Sequence, residues 1–77
     1  MDLAQQLAET LRRLRRDAEL TQAEMAKILG VSQATFARIE SGAQNVTLAT
    51  LTRFCHALRS KPGDLFEPGR LKLPRRR

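Results

Sequence analysis

The sequence holds one cysteine and one histidine, and they are neighbours, Cys55 and His56. A nucleophile and its base have to face each other, but adjacent residues of a helix point in directions about 100° apart. With no second Cys or His and no clustered carboxylates, the ligand set is also too small for a metal. The four glycines fall at caps and turns and form no phosphate-cradling loop. No catalytic site, metal or cofactor is therefore expected. Cys55 reads as a small apolar filler of the core, with a redox-sensing thiol as the other reading, and His56 as a surface or interface residue.

What remains is chemistry suited to an anion. The 77 residues carry 14 Lys and Arg against 8 Asp and Glu, a net charge of +6. So strong an excess on a short chain favours nucleic acid or an anionic surface. Three Phe, with no Trp or Tyr, give no set of stacking platforms for single strands or RNA loops, which makes duplex DNA the better partner. A membrane-surface role is weaker, because the arginines between Arg12 and Arg16 lack aromatic anchors. The lone cysteine, the acid next to Met1 and the lack of an apolar run near the ~20 residues that span a bilayer point to a cytoplasmic protein, which DNA binding would associate with the nucleoid.

The polar residues able to meet DNA are held by short helices whose boundaries are written in the sequence. Leu3, Leu7, Leu11 and Leu14 lie on one face of a first helix from about Leu3 to Arg16. Arg12, Arg13, Arg15 and Arg16 beside that stripe read as a solvated face suited to a helix C-terminus. In Leu20-Thr21-Gln22-Ala23-Glu24-Met25, Thr21 and Glu24 form a capping box and Leu20 and Met25 a hydrophobic staple, so a second helix runs from Gln22 to about Leu29 and stops at Gly30. Val31, Ser32 and Phe36 repeat the staple and cap for a third helix ending near Glu40, before Gly42. Val46, Thr47 and Leu51 repeat them again for a fourth, with Leu48, Leu51, Phe54, Cys55 and Leu58 as its buried stripe. Pro62 suits the first turn of a short fifth helix, about Pro62 to Phe66.

The expected fold is all-α, a compact five-helix bundle over residues 1–66. A basic tail at 67–77 would be either disordered or a short strand through Leu71-Lys72-Leu73 that pairs with a second copy. Domains of this size have a thin stability margin. Without disulfides, dimerisation becomes one way to widen it.

Helices two and three are joined by about three residues and carry Met25, Ala26, Leu29, Gly30, Val31, Phe36 and Ile39 where two short helices crossing steeply need them. Together with Leu20-Thr21-Gln22-Ala23-Glu24-Met25-Ala26, Gly30-Val31-Ser32-Gln33-Ala34-Thr35-Phe36 and Ile39-Glu40-Ser41-Gly42, this pattern resembles the Xre, or Cro/CI-type, lambda-repressor-like helix-turn-helix family. The likeness runs from about Leu11 to Phe66. It implies that the third helix enters the major groove by its N-terminal residues while the second lies across the phosphate backbone.

On that resemblance Gln33, Ala34, Ala37 and Arg38, the outer face of the third helix, are the base readers. Gln33 suits adenine, Arg38 suits guanine and the alanines suit a thymine methyl group; the other reading for Gln33 and Arg38 is ordinary surface. Gln22 resembles the family glutamine that holds a phosphate, aided by free backbone amides. Ser32 and Thr35 at the third helix's start, and Gln44, Asn45 and Thr47 in the loop after it, are further backbone contacts. The family often places Lys or Arg in that loop and this chain has none, so the missing charge is expected from Arg53 or from Arg70, Lys72, Arg75, Arg76 and Arg77 of the tail, following the backbone or entering a minor groove. The other reading of that tail is a solvated end. Arg59 stands where the family usually closes the fourth helix with glycine. The exposed apolar candidates for a dimer interface are Leu65, Phe66, Leu71 and Leu73.

The expected function is sequence-specific binding of double-stranded DNA by a homodimer on a palindromic operator, as a transcriptional regulator and most simply a repressor. The size and the Gln44-Asn45-Val46-Thr47-Leu48 turn resemble both antitoxins, which would add a cognate toxin as partner, and restriction–modification controllers. The alternative is a protein-interaction module that keeps the fold without specific DNA binding.

Overall fold

The structure, a computed structural model, describes residues 2–74. It contains α1 (Leu3–Asp17), α2 (Gln22–Leu29), α3 (Gln33–Glu40) and α4 (Leu48–Leu58), followed by a 3-10 turn at Pro62–Phe66.

The last three α-helices start alike, which is why their boundaries were legible. Thr21 Oγ1 accepts the Glu24 amide at 3.1 Å while Glu24 Oε1 accepts the Thr21 amide at 2.8 Å, so both halves of the capping box are made. Ser32 Oγ accepts from the Thr35 amide at 3.0 Å and Thr47 Oγ1 from the Thr50 amide at 3.1 Å. Each cap stabilises its helix by about 1 kcal/mol. The residue before each cap, Leu20, Val31 or Val46, packs against the core and fixes the angle at which the chain enters the helix. Asp2 caps α1 in the same manner, accepting from the Ala4 amide at 3.0 Å.

Between α2 and α3 the chain reverses over three residues, which Gly30 permits at φ +77°. Its amide donates to the Lys27 carbonyl at 3.2 Å and the Val31 amide to that of Ala26 at 3.0 Å, satisfying carbonyls that the helix end would orphan. Gly42 follows the end of α3 with φ +79°, a conformation that L side chains rarely adopt.

The core is built where these helices meet. Leu7, Leu11 and Leu14 of α1, Met25, Ala26 and Leu29 of α2, Phe36 and Ile39 of α3, Phe54 and Cys55 of α4, and Leu65 form one buried cluster. Fully burying a Leu, Ile or Phe contributes about 1.5–3 kcal/mol, so this cluster is the main force that holds α2 and α3 in fixed orientation. Cys55 takes its expected place as core filler.

Four sequence-based expectations are corrected. The five-helix bundle is a four-helix fold, because the fifth segment is only a 3-10 turn. Five residues cannot repay the nucleation of an α-helix, and the tighter turn is enough to seat Leu65. No strand forms among the described residues of the tail. Leu71 and Leu73 do alternate with exposed Lys72, but they are partly buried against the helical core and have no strand beside them. Leu48, expected in the buried stripe of α4, is 81% exposed, because the stripe continues past the edge of the surface that covers it; Leu3, at the corresponding end of α1, is also exposed. Leu65, expected as an exposed dimer contact, is 0% exposed and belongs to the core. The cluster Arg75-Arg76-Arg77 lies outside the described residues.

Candidate nucleic-acid interface

Phe36 and Ile39 point into the core, and that fixes what α3 presents on its other side. Gln33, Ala34 and Arg38 are exposed and Ala37 is half-buried beside them, so the four residues expected to read bases share the open face of one helix. Arg38 Nε donates to Gln44 Oε1 at 2.7 Å, which joins this face to the α3–α4 loop. Only Nε is used in that bond. The two terminal nitrogens, which form the fork suited to guanine, stay open to an incoming ligand.

The six residues expected at phosphates are brought to helix starts and to one loop, with their side chains in different states of engagement. Gln22 Nε2 donates to Glu40 Oε1 at 2.7 Å, so its amide group is held by a neighbouring helix. Ser32 Oγ donates to Thr35 Oγ1 at 2.9 Å as well as capping the helix, and Thr47 makes the matching bond to Thr50 at 3.0 Å. Gln44 accepts from Arg38, and Asn45 is exposed. The cap hydroxyls are thus committed to the protein, and the free donors at the starts of α2 and α3 are backbone amides. An anion at either start would meet those amides and the positive end of the helix dipole.

Glu40 is the residue supporting this surface that sequence reasoning missed. It sits at the end of α3 with 5% exposure and gathers three helices. Arg15 Nε of α1 donates to its Oε2 at 2.6 Å, Gln22 of α2 to its Oε1, and Arg12 Nη2 to its main-chain oxygen at 3.0 Å. Burial pushes the Glu40 carboxyl up, but the hydrogen bonds from Arg15 and Gln22 and the charges of Arg15 and Arg12 outweigh it and hold the carboxyl below its ordinary value. Arg12 and Arg15 were expected on a solvated face. Their heads instead pin α1 to the end of α3. A signal was present: Arg15 follows Leu11 by four residues and so shares the core-facing side of α1.

The remaining cations are unevenly placed. Arg53 is exposed and donates from Nη1 to the Gly30 carbonyl at 3.2 Å, which sets a positive charge on the turn between α2 and α3. Arg70 is neutralised by Glu67 at 2.9 Å and Asp64 at 3.5 Å. Lys72 is exposed beside Arg16 and Asp17 at the end of α1. Among the described cations expected to supply the loop's missing charge, Arg53 is the one bonded to the turn between α2 and α3. The apolar residues of the tail, Phe66, Leu71 and Leu73, are half-buried against the core.

This geometry has counterparts among known proteins. A family model described as a helix-turn-helix domain matches residues 6–68. The chain is 36% identical over 53 residues to the antitoxin HipB of Escherichia coli K12, an alignment covering 69% of this chain and 60% of HipB, so the chain spans less than two thirds of that relative's length. Among solved structures, the restriction-modification controller protein C.AhdI of Aeromonas hydrophila superposes with a TM-score of 0.69 and 28% identity, covering 82% of this chain and 91% of that one. The clp gene regulator ClgR of C. glutamicum gives 0.67 and 32%, with 82% of each chain covered. The hypothetical transcription factor NHTF of Neisseria gives 0.74 and 25%, with 88% and 78% covered.

Proposed function

Since the chain belongs to the Xre-like helix-turn-helix family of DNA-binding transcriptional regulators, we propose that it acts in the cytoplasm as a homodimer that reads a two-fold-related operator and represses a nearby promoter. The observation that carries this reading is the open face of α3, where Gln33, Ala34, Ala37 and Arg38 stand together on a helix whose opposite side is locked into the core. A rigid mount is what base reading requires, because a bidentate contact worth about 1–3 kcal/mol is lost if the helix can roll.

In the proposed complex α3 lies in the major groove. The amides at the starts of α2 and α3, with Gln22, Ser32, Thr35, Gln44, Asn45 and Thr47 around them, face the flanking phosphates. These contacts set register and orientation, and the α3 side chains set sequence preference. A dimer presents two such helices to half-sites about 34 Å apart, one turn of the duplex. The likeness to an antitoxin and to a restriction–modification controller suggests two genomic settings, the first of which adds a toxin as partner. Neighbouring genes separate them: a toxin gene in one case, a methyltransferase and endonuclease pair in the other.

The experiment is selection of bound duplexes from a random DNA pool, with the affinity of the winner followed across salt concentrations. A two-fold-symmetric site bound with a steep salt dependence is the expected outcome. Binding that enriches no sequence would overturn the operator reading.

A further inference from the structure

The side of the molecule where α1 and α4 begin holds an apolar hollow of about 260 Å³, lined by Leu3, Leu7, Val46, Leu48, Leu51 and Phe66. No charged residue lines it. Two of the three large apolar side chains exposed among the described residues stand at this one place, Leu48 at 81% and Leu3 at 54%. Burial of the core accounts for neither.

We infer that this hollow is the homodimer interface, with Leu48 of each subunit entering the hollow of the other. The inference deepens the dimeric reading above and rests on it. Three observations select a second copy as the occupant.

The first is charge. Each subunit carries +6, so two copies repel unless they meet where no cation faces a cation. Two other surface hollows are lined by charged residues, one by Arg16, Asp17 and Lys72 beside Leu73, the other by Glu9, Arg12, Arg13 and Arg16 with Asp17. Of these three hollows, the uncharged one lets two such chains approach without placing arginines against arginines.

The second is shape. A two-fold contact needs a surface that complements itself, so that what projects from one subunit fits a recess in the same patch of its copy. Here the projection and the recess adjoin: Leu48 stands out from the first turn of α4 at the rim of the hollow that its counterpart would fill. Removing Leu48 and Leu3 from water together supplies an apolar centre for the contact.

The third is position. Gln44 and Asn45 form one wall of the hollow, and Gln44 is hydrogen-bonded to Arg38 on the reading face of α3. A two-fold axis here sets the separation of the two recognition helices through one short loop. Subunit pairing and half-site spacing then depend on the same residues.

The test is the monomer–dimer equilibrium by sedimentation velocity across protein concentration, for the full chain and for Leu48→Glu. Leu48 is so exposed that the substitution leaves the fold intact, which an unchanged thermal melt of the dilute protein checks. The expected result is a dimer for the parent chain and a dimer dissociation constant raised at least about tenfold in Leu48→Glu. Binding to a duplex with two half-sites then loses its cooperativity while affinity for an isolated half-site is kept. Leu73→Glu, in the tail, leaves the dimer in place. A Leu48→Glu protein that dimerises as well as the parent overturns the inference, as does a parent chain that stays monomeric at every concentration; an operator selected in the same protein would then still stand. Dimerisation that depends on Leu48 in a protein that selects no DNA sequence would uphold the interface and remove the operator reading.

Discussion

Arg15 and Glu40 meet at 2.6 Å between Nε and Oε2, 25 residues apart in the chain, and tie the last turn of α1 to the last residue of α3. Their side chains are 16% and 7% exposed, so the pair is largely removed from water. A buried ion pair of this kind is weak evidence for net stability, but removing one partner leaves the other charged and unpaired at a cost of about 3 kcal/mol or more. Glu40→Gln should therefore lower the urea midpoint clearly while leaving the denaturant slope unchanged. A midpoint within error of the parent's would show that solvent already screens the pair.

The same carboxylate makes stability depend on pH in one direction. Its folded pKa is depressed below the unfolded value of about 4.3, so the folded state is favoured when the group is ionised. This contribution is fully present above the unfolded pKa and is lost as the pH falls from there through the lower folded value. The stability difference between the parent and Glu40→Gln should then be constant near neutrality and shrink in acid. A difference that grew on acidification would contradict the assignment of Glu40 as the titrating group.

Arg59 closes α4 at φ +51°, ψ +50°, the left-handed region in which a side chain is strained. The residue is exposed, so its long side chain contributes little packing. Glycine would relieve about 1–2 kcal/mol of left-handed strain, offset in part by the greater freedom it gives the unfolded chain. Arg59→Gly is expected to stabilise by roughly 0.5–1 kcal/mol, raising the melting temperature by several degrees in a domain of this size. A lower melting temperature would mean that the guanidinium holds a contact stronger than the strain.

What could be read from the sequence and what could not follow a physical division. The boundaries of α2, α3 and α4 were legible because caps and staples act between residues three to five apart, as in Thr21 with Glu24 and Leu20 with Met25. The outer face of α3 was legible because Phe36 and Ile39 must be inward. Glu40 was not, since its burial depends on Arg15 and Gln22 arriving from other helices, and an acid at a helix end otherwise reads as solvent-facing. Periodicity placed Leu48 inside and left Leu65 outside. It describes the face of a helix and carries no information on how far along the axis the covering surface extends. The tail alternates like a strand, but Leu71 and Leu73 answer to the core beneath them.

The division of labour proposed for α2 and α3 can be separated by substitution. Gln33→Ala and Arg38→Ala should each cost about 1–3 kcal/mol on the selected operator and relax preference at one base pair. Gln22→Ala should weaken binding to all duplexes alike, and because Gln22 also donates to Glu40 it should lower stability as well. Binding isotherms on the operator and its single-base variants check both. An Arg38→Ala protein weakened equally on every variant would make Arg38 a phosphate contact, and a base-specific loss in Gln22→Ala would remove Gln22 from the backbone.

Arg53 and Arg70 are both exposed arginines, and their surroundings give opposite expectations for DNA. Arg53 carries its charge to the turn between α2 and α3, where its partner among the described residues is the Gly30 carbonyl, a neutral acceptor. Arg70 spends its charge on Glu67 and Asp64. Each cation that meets a phosphate releases condensed counterions and steepens the salt dependence of binding by about one unit in log–log slope. Arg53→Ala should therefore reduce that slope by about 1 and weaken all duplexes to a similar degree, whereas Arg70→Ala should leave the slope where it is. If the slope fell with Arg70→Ala and held with Arg53→Ala, the α3–α4 loop would draw its missing charge from the tail, and the ion pairs of Arg70 would have to open on the duplex.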